Sequence, residues 1–366
     1  MGSPDRIRLV VLFGGQSAEH EVSCVSAYHV LRAADPARYD LEAVGITREG
    51  QWVRADDAIA ALRAGAAALP AAPKDRGRLE AVGAEIEPLP AVRASASDQG
   101  PVVVVPLLHG PRGEDGTVQG FLEMANVPYV GTGVLGSALC MDKLKAKDVL
   151  AAHGLPQVRW VGLRDTELDD AIARASAAGL TYPMFVKPAN LGSSVGVSRA
   201  TDDASLAAAC ETAAQYDEWI VIEQGVTGRE IEVAVLGNES PRASAPGEVR
   251  PTHDFYDYDD KYLDDAADLV IPADLPADVA EEIQRLAVQA FTTLRCDGMA
   301  RVDFFYLPDD GLVLINEVNT IPGFTPISMY PKMWEASGLP YGALIDELVH
   351  LALDRHERRG RFSTKR

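Results

Sequence analysis

Residues Arg301–Asn319 read R-V-D-F-F-Y-L-P-D-D-G-L-V-L-I-N-E-V-N, which predicts two apolar strands joined by a tight turn. Asp309-Asp310-Gly311 has the composition of a turn, because Gly accepts a positive φ. A three-residue loop sets three pairs opposite one another: Pro308 and Leu312, Asp303 and Glu317, and Arg301 and Asn319. Side chains two apart share a strand face, so the last two pairs are predicted to lie together on one face.

The four polar side chains on this face are two acids, an amide and a guanidinium. Two carboxylates that close raise each other's pKa unless a cation lies between them. Oxygen ligands without His or Cys suit Mg²⁺ held together with phosphates and water. A nearby arginine suits an anionic substrate group. The alternative is a surface hairpin whose polar face is simply solvated, and the spacing alone leaves both interpretations open.

Composition places the chain among globular proteins of two or three domains, with 366 residues, 47% hydrophobic and 24% charged. A net charge of -20 argues against a nucleic-acid partner. No apolar run is long enough to span a membrane, and the start lacks the pattern of a signal peptide. The four cysteines lie far apart without a C-x-x-C pair, which indicates reduced thiols. We therefore expect a cytoplasmic protein without membrane contact.

Strand-like and helix-like stretches alternate, which predicts an α/β fold. Residues 7–13 are expected to form a buried strand, 17–34 a helix, and 102–108 a second buried strand. Residues 55–100 are rich in Ala and Pro and predict a short helix with a variable connection. Residues 241–270 are rich in Tyr and Asp and lack a period, which favours an active-site lid. Further strands are predicted at 127–130, 184–187, 220–223 and 231–236, and further helices from the 131–136 segment to about 152 and at 167–179, 203–216, 277–295 and 341–358.

Residues Val186–Val197 read V-K-P-A-N-L-G-S-S-V-G-V and predict a phosphate-binding loop. Lys187 ends a predicted strand, and a flexible Gly/Ser loop follows. Backbone N–H groups and hydroxyls can bind phosphates there while the lysine balances their charge. The lysine precedes the glycines, so this is not a Walker A loop, and an ordinary turn is the alternative.

Two other Gly-rich segments follow predicted strands at the carboxyl edge of a sheet, where ligands commonly bind. Residues Gly14–Ser23 read G-G-Q-S-A-E-H-E-V-S. Glu19 could bind an ammonium group, or it could merely complement the dipole of the following helix. Residues His109–Thr117 read H-G-P-R-G-E-D-G-T and could line a substrate pocket or form a plain turn.

Residues Gly131–Gly136 read G-T-G-V-L-G and satisfy G-x-G-x-x-G between a predicted strand and a predicted helix. This pattern leaves open a nicotinamide dehydrogenase, a function of another class. The segment begins in the middle of the chain, and Asp142 follows too soon to be the acid that binds the ribose. The dinucleotide signal is therefore weak.

Taken together, these segments resemble the D-alanine–D-alanine ligase family of the ATP-grasp superfamily. The resemblance rests on motifs in the family order: G-G-Q-S-A-E-H-E-V-S, L-H-G-P-R-G-E-D-G-T-V-Q-G, M-D-K, V-K-P-A-N-L-G-S-S-V-G-V, H-D-F-Y-D-Y-D-D-K-Y, R-V-D-F and N-E-V-N-T-I-P-G-F-T. They cover nearly the whole chain apart from residues 55–100. No single motif is decisive, but their combination is highly specific.

The resemblance implies a three-domain ATP-grasp fold whose N-terminal domain is an open parallel α/β sheet. Its divisions are 1–130 for the first-substrate side, 131–225 for the central domain and 226–366 for the C-terminal domain. It also implies a reaction for peptidoglycan precursor synthesis, in which ATP phosphorylates the carboxylate of one D-alanine. The amine of a second D-alanine then attacks the acyl phosphate and releases phosphate. The family further implies a homodimer.

The resemblance also assigns the nucleotide and metal sites. Two Mg²⁺ ions, with Mn²⁺ as a possible substitute, would be held by Asp303, Glu317 and Asn319. The residues that match the family's ATP-binding positions are Lys143, Lys187, Ser194, Glu223, Glu230 and Lys261.

In the same way, Glu19 would bind the ammonium of the first D-alanine. The family also implies that Ser193 and Tyr262 hydrogen-bond with Glu19 and tie the lid shut, and that His109 lines the first subsite. Arg301 and the N–H of Gly323 would stabilise the oxyanion. Ser328 and Met329 would form the second subsite. The chain departs from common family patterns in A-N-L-G of the phosphate loop and in Phe324, where Met is frequent. A relative that uses D-lactate or D-serine second is the nearest alternative, which Lys261-Tyr262 and the apolar Met329 disfavour.

Overall fold

The computed structural model describes residues 6–56, 79–94, 100–250 and 268–363. The first of its three sheets has five strands in the order β4-β3-β2-β1-β5. They are Ile7–Gly14 (β1), Tyr39–Ile46 (β2), Trp52–Arg54 (β3), Ala84–Glu85 (β4) and Val102–Pro106 (β5). The three at β2, β1 and β5 are parallel, and β3 and β4 add an antiparallel edge.

Strand β1 is apolar on both faces, because helices cover both sides of the sheet. Leu9, Val11 and Phe13 belong to a core shared with the helix His20–Ala33 (α1). Val10 and Leu12 face the opposite core. That second core contains residues of the helices Pro88–Val92 (α2) and Thr117–Ala125 (α3). A continuous apolar run is what a strand buried on both faces requires.

The second sheet has four antiparallel strands in the order β6-β9-β7-β8. They are Trp160–Arg164 (β6), Met184–Pro188 (β7), Ser198–Ala200 (β8) and Trp219–Gln224 (β9). The helices before and around this sheet are Val134–Met141 (α4), Lys143–Ala152 (α5), Ala171–Ala177 (α6) and Asp203–Ala213 (α7). Helices α6 and α7 share an apolar core with the sheet.

The third sheet has six antiparallel strands, in the order β13-β12-β10-β14-β15 with β11 paired to β10. They are Arg229–Gly237 (β10), Arg242–Ala243 (β11), Gly247–Arg250 (β12), Asp268–Val270 (β13), Gly298–Leu307 (β14) and Leu312–Asn319 (β15). Apolar residues of β10, β14 and β15 pack under the helix Ala277–Thr293 (α8). The chain ends with the helices Met329–Ala336 (α9) and Tyr341–Gly360 (α10).

The β14–β15 hairpin has the predicted pairing at its polar residues but not at its turn. Leu307, rather than Pro308, pairs with Leu312, so the loop has one more residue than predicted. A β-bulge then shifts the register between Asp303 and Phe304 and restores the predicted pairs of Asp303 with Glu317 and Arg301 with Asn319. The extra residue on β15 is Asn316, because a bulge sets two residues against one.

Several predicted elements are wrong in extent or type. Residues 127–130 form only an isolated bridge, in which Tyr129 meets Val104, rather than a strand. The predicted long helix to residue 152 is two helices, because Asp142 ends α4 and its carboxylate caps α5 by accepting from the N–H of Lys145. The first part of the predicted 167–179 helix is a 3₁₀ turn, Asp165–Asp170.

The predicted lid at 241–270 is not irregular where it is described, because its two ends supply β11, β12 and β13. Residues 251–267 lie outside the described ranges, as does much of 55–100. Within those ranges, no helix is both long and apolar enough to cross a membrane.

Candidate active site

A cavity of about 1490 Å³ is lined by residues of the second and third sheets, by the helix α1 and by the loops that follow β1 and β5. Fifteen of the seventeen predicted site residues line it: Glu19, His109, Lys143, Lys187, Ser193, Ser194, Glu223, Glu230, Arg301, Asp303, Glu317, Asn319, Gly323, Ser328 and Met329. The other two, Lys261 and Tyr262, lie outside the described residues. Segments that are up to 310 positions apart in the sequence (Glu19 and Met329) thus share one cavity.

The hairpin places its polar side chains on one wall of this cavity. The Arg301 guanidinium donates two hydrogen bonds to Asp303, each of 2.7 Å. The Asn319 amide donates to the same carboxylate at 2.9 Å, and a Glu317 oxygen lies 3.8 Å from the Lys143 ammonium. Two carboxylates and an amide oxygen on adjacent strands fit a hard divalent cation that completes its shell with phosphates and water. Because these residues line a cavity and Asp303 is buried, the alternative of a solvated surface hairpin is wrong.

A neighbouring acid, Glu232, also belongs to this wall. It faces Asp303 across β10 and β14, and its Oε2 lies 3.1 Å from Nε of Arg301. Burial opposes the charge of Arg301, but the carboxylates of Asp303 and Glu232 outweigh it and raise the arginine pKa. The sequence carried a signal for this residue, because Glu230 and Glu232 alternate with apolar residues in a buried strand.

Two lysines hold the Glu223 carboxylate at the base of the cavity. Lys187 Nζ lies 2.7 Å from Oε2, and Lys147 Nζ lies 3.0 Å from Oε1. Burial alone would raise the pKa of Glu223, but the two ammonium groups lower it to about 2. Burial lowers the pKa of Lys147, and the nearby positive charge of Lys187 lowers it further, although the Glu223 carboxylate opposes both. Glu223 is thus ionised, and Lys147 is a part of this cluster that was not predicted.

The Gly/Ser loop after β7 reaches Glu19, which lies between β1 and α1 at the N-cap of that helix. The Ser193 hydroxyl donates to a Glu19 oxygen at 2.5 Å. Both Ser193 and Ser194 have a positive φ, of 51° and 57°. A Cβ on Gly192 would lie 3.2 Å from the Glu19 carboxylate, so glycine allows the loop to come this close. The predicted contact between Glu19 and Ser193 is present.

His109 is buried beside Glu19, on the loop that follows β5. Its Nδ1 lies 2.9 Å from the Ile321 carbonyl oxygen and 3.5 Å from the Glu114 carboxylate. Burial favours the neutral ring, but Glu114 and Glu19 outweigh it and raise the pKa of His109. Burial, with the charge of Glu19 nearby, also raises the pKa of Glu114. Glu114 was not predicted as a site residue, although it lies in the same Gly-rich segment as His109.

The loop between β15 and α9 closes the far side of the cavity. Gly323 lies against Ser328, because a Cβ on Gly323 would be 3.2 Å from the serine Oγ. The N–H of Thr325 donates to the same Oγ at 3.1 Å. Met329 is 7% exposed and presents an apolar surface next to these polar groups. A small polar pocket with an apolar wall suits a short amino acid.

The G-T-G-V-L-G segment is not part of this cavity, because none of its six residues lines it. A Cβ on Gly136 would lie 2.5 Å from the Thr132 side chain and 2.6 Å from the Arg295 carbonyl oxygen. The backbone of Gly131 lies 3.1 Å from a Cβ built on Gly298. The glycines therefore allow close packing beside β14. The pattern that suggested a nicotinamide dehydrogenase is thus explained by packing rather than by dinucleotide binding.

The antiparallel sheets, the lysines at the carboxylates and the Gly/Ser loop define the chain as an ATP-grasp ligase. Comparison with known proteins then identifies the family. The family model described as D-ala D-ala ligase N-terminus matches residues 8–132, and the model described as D-ala D-ala ligase C-terminus matches residues 149–350. The chain belongs to the D-alanine–D-alanine ligase family.

Curated relatives match over nearly their whole length. The D-alanine–D-alanine ligase of Thermoanaerobacter sp. (strain X514) is 44% identical, over 98% of this chain and 99% of the relative. The ligase of Solibacter usitatus is 47% identical, over 97% and 98%. The structure of the D-alanine-D-alanine ligase from Coxiella burnetii gives a TM-score of 0.80 at 37% identity, over 97% of this chain and 96% of that one.

The structure of a relative that is named for D-Ser rather than for a second D-Ala also matches. The VanG D-Ala:D-Ser ligase from Enterococcus faecalis gives a TM-score of 0.77 at 34% identity, over 95% of this chain and 99% of that chain. The predicted family, the ATP-grasp fold and the assignment as a ligase are confirmed.

Proposed function

We propose that this protein joins two D-alanines to D-alanyl-D-alanine, a peptidoglycan precursor, and consumes one ATP for each dipeptide. The observation that carries the proposal is that Glu19, Ser193 and the polar residues of the Arg301–Asn319 hairpin line the same cavity. An ammonium-binding acid, phosphate-binding lysines and a carboxylate–amide metal set are the groups that this reaction requires together.

The nucleotide end of the cavity is formed by the second and third sheets. Lys143, Lys187 and Ser194 would bind the phosphates, and Glu223 and Glu230 would contact the adenine and ribose. Lys261 would add a further phosphate contact by its match to the family. Mg²⁺, as two ions held by Asp303, Glu317 and Asn319, would neutralise the β- and γ-phosphates, and Mn²⁺ is a chemically similar substitute.

The first D-alanine would lie between Glu19 and His109. Glu19 binds its ammonium group, and the Ser193 hydrogen bond fixes the position of the acid. The substrate carboxylate oxygen attacks the γ-phosphorus, the bond from that phosphorus to the β-phosphate oxygen breaks, and ADP leaves. The acyl phosphate must be kept from water, a role that we assign to the 241–270 lid and to Tyr262.

The second D-alanine would lie between the 320–329 loop and Arg301. Its amine attacks the acyl carbon, phosphate leaves, and the amine loses a proton. Arg301 and the N–H of Gly323 donate to the oxyanion of the tetrahedral intermediate, a task that needs fixed donors. Ser328 holds the carboxylate, and the buried Met329 contacts the methyl group. The apolar Met329 side chain is a poor partner for a hydroxyl at that position, so D-serine is the weaker candidate.

The domain division, the cellular compartment and the oligomeric state are also part of the proposal. We assign the domains as residues 1–130, 131–225 and 226–366, each built around one of the three sheets. We assign the protein to the cytoplasm, since its four cysteines are free and buried, as expected in a reducing compartment. We also propose a homodimer, which light scattering coupled to size-exclusion chromatography tests directly by mass.

An ADP-release assay with Mg²⁺ and D-alanine, run beside mass spectrometry of the product, tests the proposal. We expect one D-alanyl-D-alanine for each ADP. A mixed dipeptide or a depsipeptide that forms faster when D-serine or D-lactate is added would move the assignment to the related ligases. ADP release that ignores every amino and hydroxy acid would overturn the proposed reaction.

A further inference from the structure

Lys147 is the most deeply buried cation of the site, and it does not touch the cavity. Its side chain is 3% exposed, and its ammonium pairs with Glu223 at 3.0 Å. The Trp160 ring lies beside it, with its centroid 5.6 Å from Nζ. Glu223 and Lys187 both line the cavity, whereas Lys147 is not part of its wall. Any effect of Lys147 on a bound molecule must therefore pass through Glu223.

The two lysines that share Glu223 differ in what else they can reach. Lys187 lines the cavity near the end of β7, just before the Gly/Ser loop, where a phosphate group would approach it. A polyphosphate carries more negative charge than a single carboxylate and competes for that ammonium. Lys147 cannot reach a bound phosphate, because it is buried beside the Glu223 carboxylate and does not line the cavity. It is the counterion that stays with Glu223 in either arrangement.

A buried carboxylate that lost both cations would be neutralised by a proton. A protonated acid offers one donor and loses acceptor capacity, whereas an ionised one only accepts. The exocyclic amino group of adenine is a donor, and guanine has an acceptor oxygen at the same ring position. The ionisation and the direction of Glu223 therefore decide which purine base is favoured in contact with it.

We propose that Lys147 is a positioning residue for the nucleotide base, which keeps Glu223 ionised and aimed into the cavity when Lys187 binds phosphate. This inference rests on the proposed ATP-dependent function and adds a residue to it. Lys147 contacts neither nucleotide nor reacting atoms. It sets the preference for adenine over guanine through the carboxylate that it holds.

The test compares Lys147→Met, which removes the charge at similar length, with Lys145→Met on the same helix. Lys145 is exposed and pairs only with Asp148 among the ion pairs of the described residues, so it is a matched control. Dipeptide formation is measured against ATP and against GTP. We expect Lys147→Met to raise the KM for ATP about tenfold or more, which is the effect of losing one hydrogen bond from the adenine amino group to the Glu223 carboxylate. The kcat at saturating ATP should stay within a few-fold, and the preference for ATP over GTP should narrow.

Lys147→Arg should restore the preference for ATP over GTP in part. Lys145→Met should leave the KM for ATP and the ATP/GTP ratio unchanged. Lys147→Met with an unchanged KM for ATP and an unchanged ATP/GTP ratio would overturn the inference. If Lys147→Met does not fold, the test uses Lys147→Met/Glu223→Gln, in which both charges are removed together. We expect this double variant to equal Glu223→Gln alone in its ATP/GTP ratio, and a further loss would contradict a role through Glu223.

The failure of the proposed function can be told apart from the failure of this inference. If the wild-type protein forms no dipeptide, calorimetric binding of ATP and GTP to the same variants carries the test. Weaker ATP binding and a smaller ATP/GTP difference in Lys147→Met would then support the role of Lys147. Equal affinities in wild type and variant would reject it.

Discussion

Replacing Arg301 with lysine separates the charge of this residue from its geometry. The guanidinium uses Nε and Nη2 to bind Asp303 through two bonds of 2.7 Å, and Nη1 takes no part in either. In the proposed reaction Nη1 is the donor to the oxyanion. A lysine keeps the positive charge but has a single nitrogen, so it cannot hold Asp303 with two parallel bonds and present a third donor in a fixed direction.

The size of the effect follows from these contacts. Removing one oxyanion donor typically lowers kcat by about 10²–10³. One of the two bonds to Asp303 is lost as well, and a hydrogen bond to a charged group contributes about 1.5–3 kcal/mol to stability. We therefore expect Arg301→Lys to lower kcat at least about 100-fold, with a moderate loss of stability and little change in the KM for ATP.

The third sheet contains a matched control. Arg229 binds Glu248 through the same two-bond geometry, at 2.7 and 2.9 Å, and does not line the cavity. Its side chain is 27% exposed, close to the 21% of Arg301. Arg229→Lys should lose a similar amount of stability in thermal unfolding and keep kcat in the ADP-release assay. Equal kcat values for the two variants would refute the role of Arg301 at the oxyanion.

Three further variants test other parts of the site and fold. Glu317→Gln should abolish ATP turnover with an unchanged unfolding temperature, and full turnover would remove this residue from the metal set. Gly136→Ala should destabilise the protein by about 1–3 kcal/mol through overpacking against Thr132 and Arg295 while leaving the KM values unchanged; a raised KM for ATP would contradict the packing role. The pKa of Glu223 is lowered from 4.5 to about 2, so its ionised form stabilises the fold above pH 4.5, and this contribution is lost as the pH falls toward 2. In urea unfolding, the stability gap between wild type and Glu223→Gln should therefore narrow below pH 4.5, and a gap that is constant with pH would refute the ionised state.

The hairpin shows how far local sequence can predict this site. Alternation and a turn of Asp and Gly placed Asp303 opposite Glu317, and the structure has that pair. The predicted loop was one residue too short, so the predicted pairing of Pro308 with Leu312 was wrong, and Leu307 pairs with Leu312 instead. The bulge at Asn316 compensates, and no local rule could have predicted it, because a bulge depends on the partner strands and the cavity that it faces.

The missed residues share a different cause. Lys147 and Glu232 each contact a predicted residue from a different segment of the chain, and Glu114 contacts His109 across a turn of their shared Gly-rich segment. Periodicity indicates which face of an element a side chain occupies, but not which other element that face meets. Buried charges in apolar segments were the available signal. Such charges are rarely buried without a partner, which makes them candidates for a site before the partner is known.

The ion pairs of the cavity explain how one set of residues both holds the fold together and binds substrate. Lys187 pairs with Glu223, Arg301 with Asp303, and Lys143 lies near Glu317, so these cations have carboxylate partners within the site itself. The charges of the site are already paired with one another before substrate binds. Phosphates and metal ions that enter the cavity would therefore replace some of these ion pairs with new ones. The affinity for nucleotide is therefore a difference between two sets of ion pairs. A residue such as Lys147, which stays with Glu223 throughout the exchange, affects that difference without ever touching the substrate.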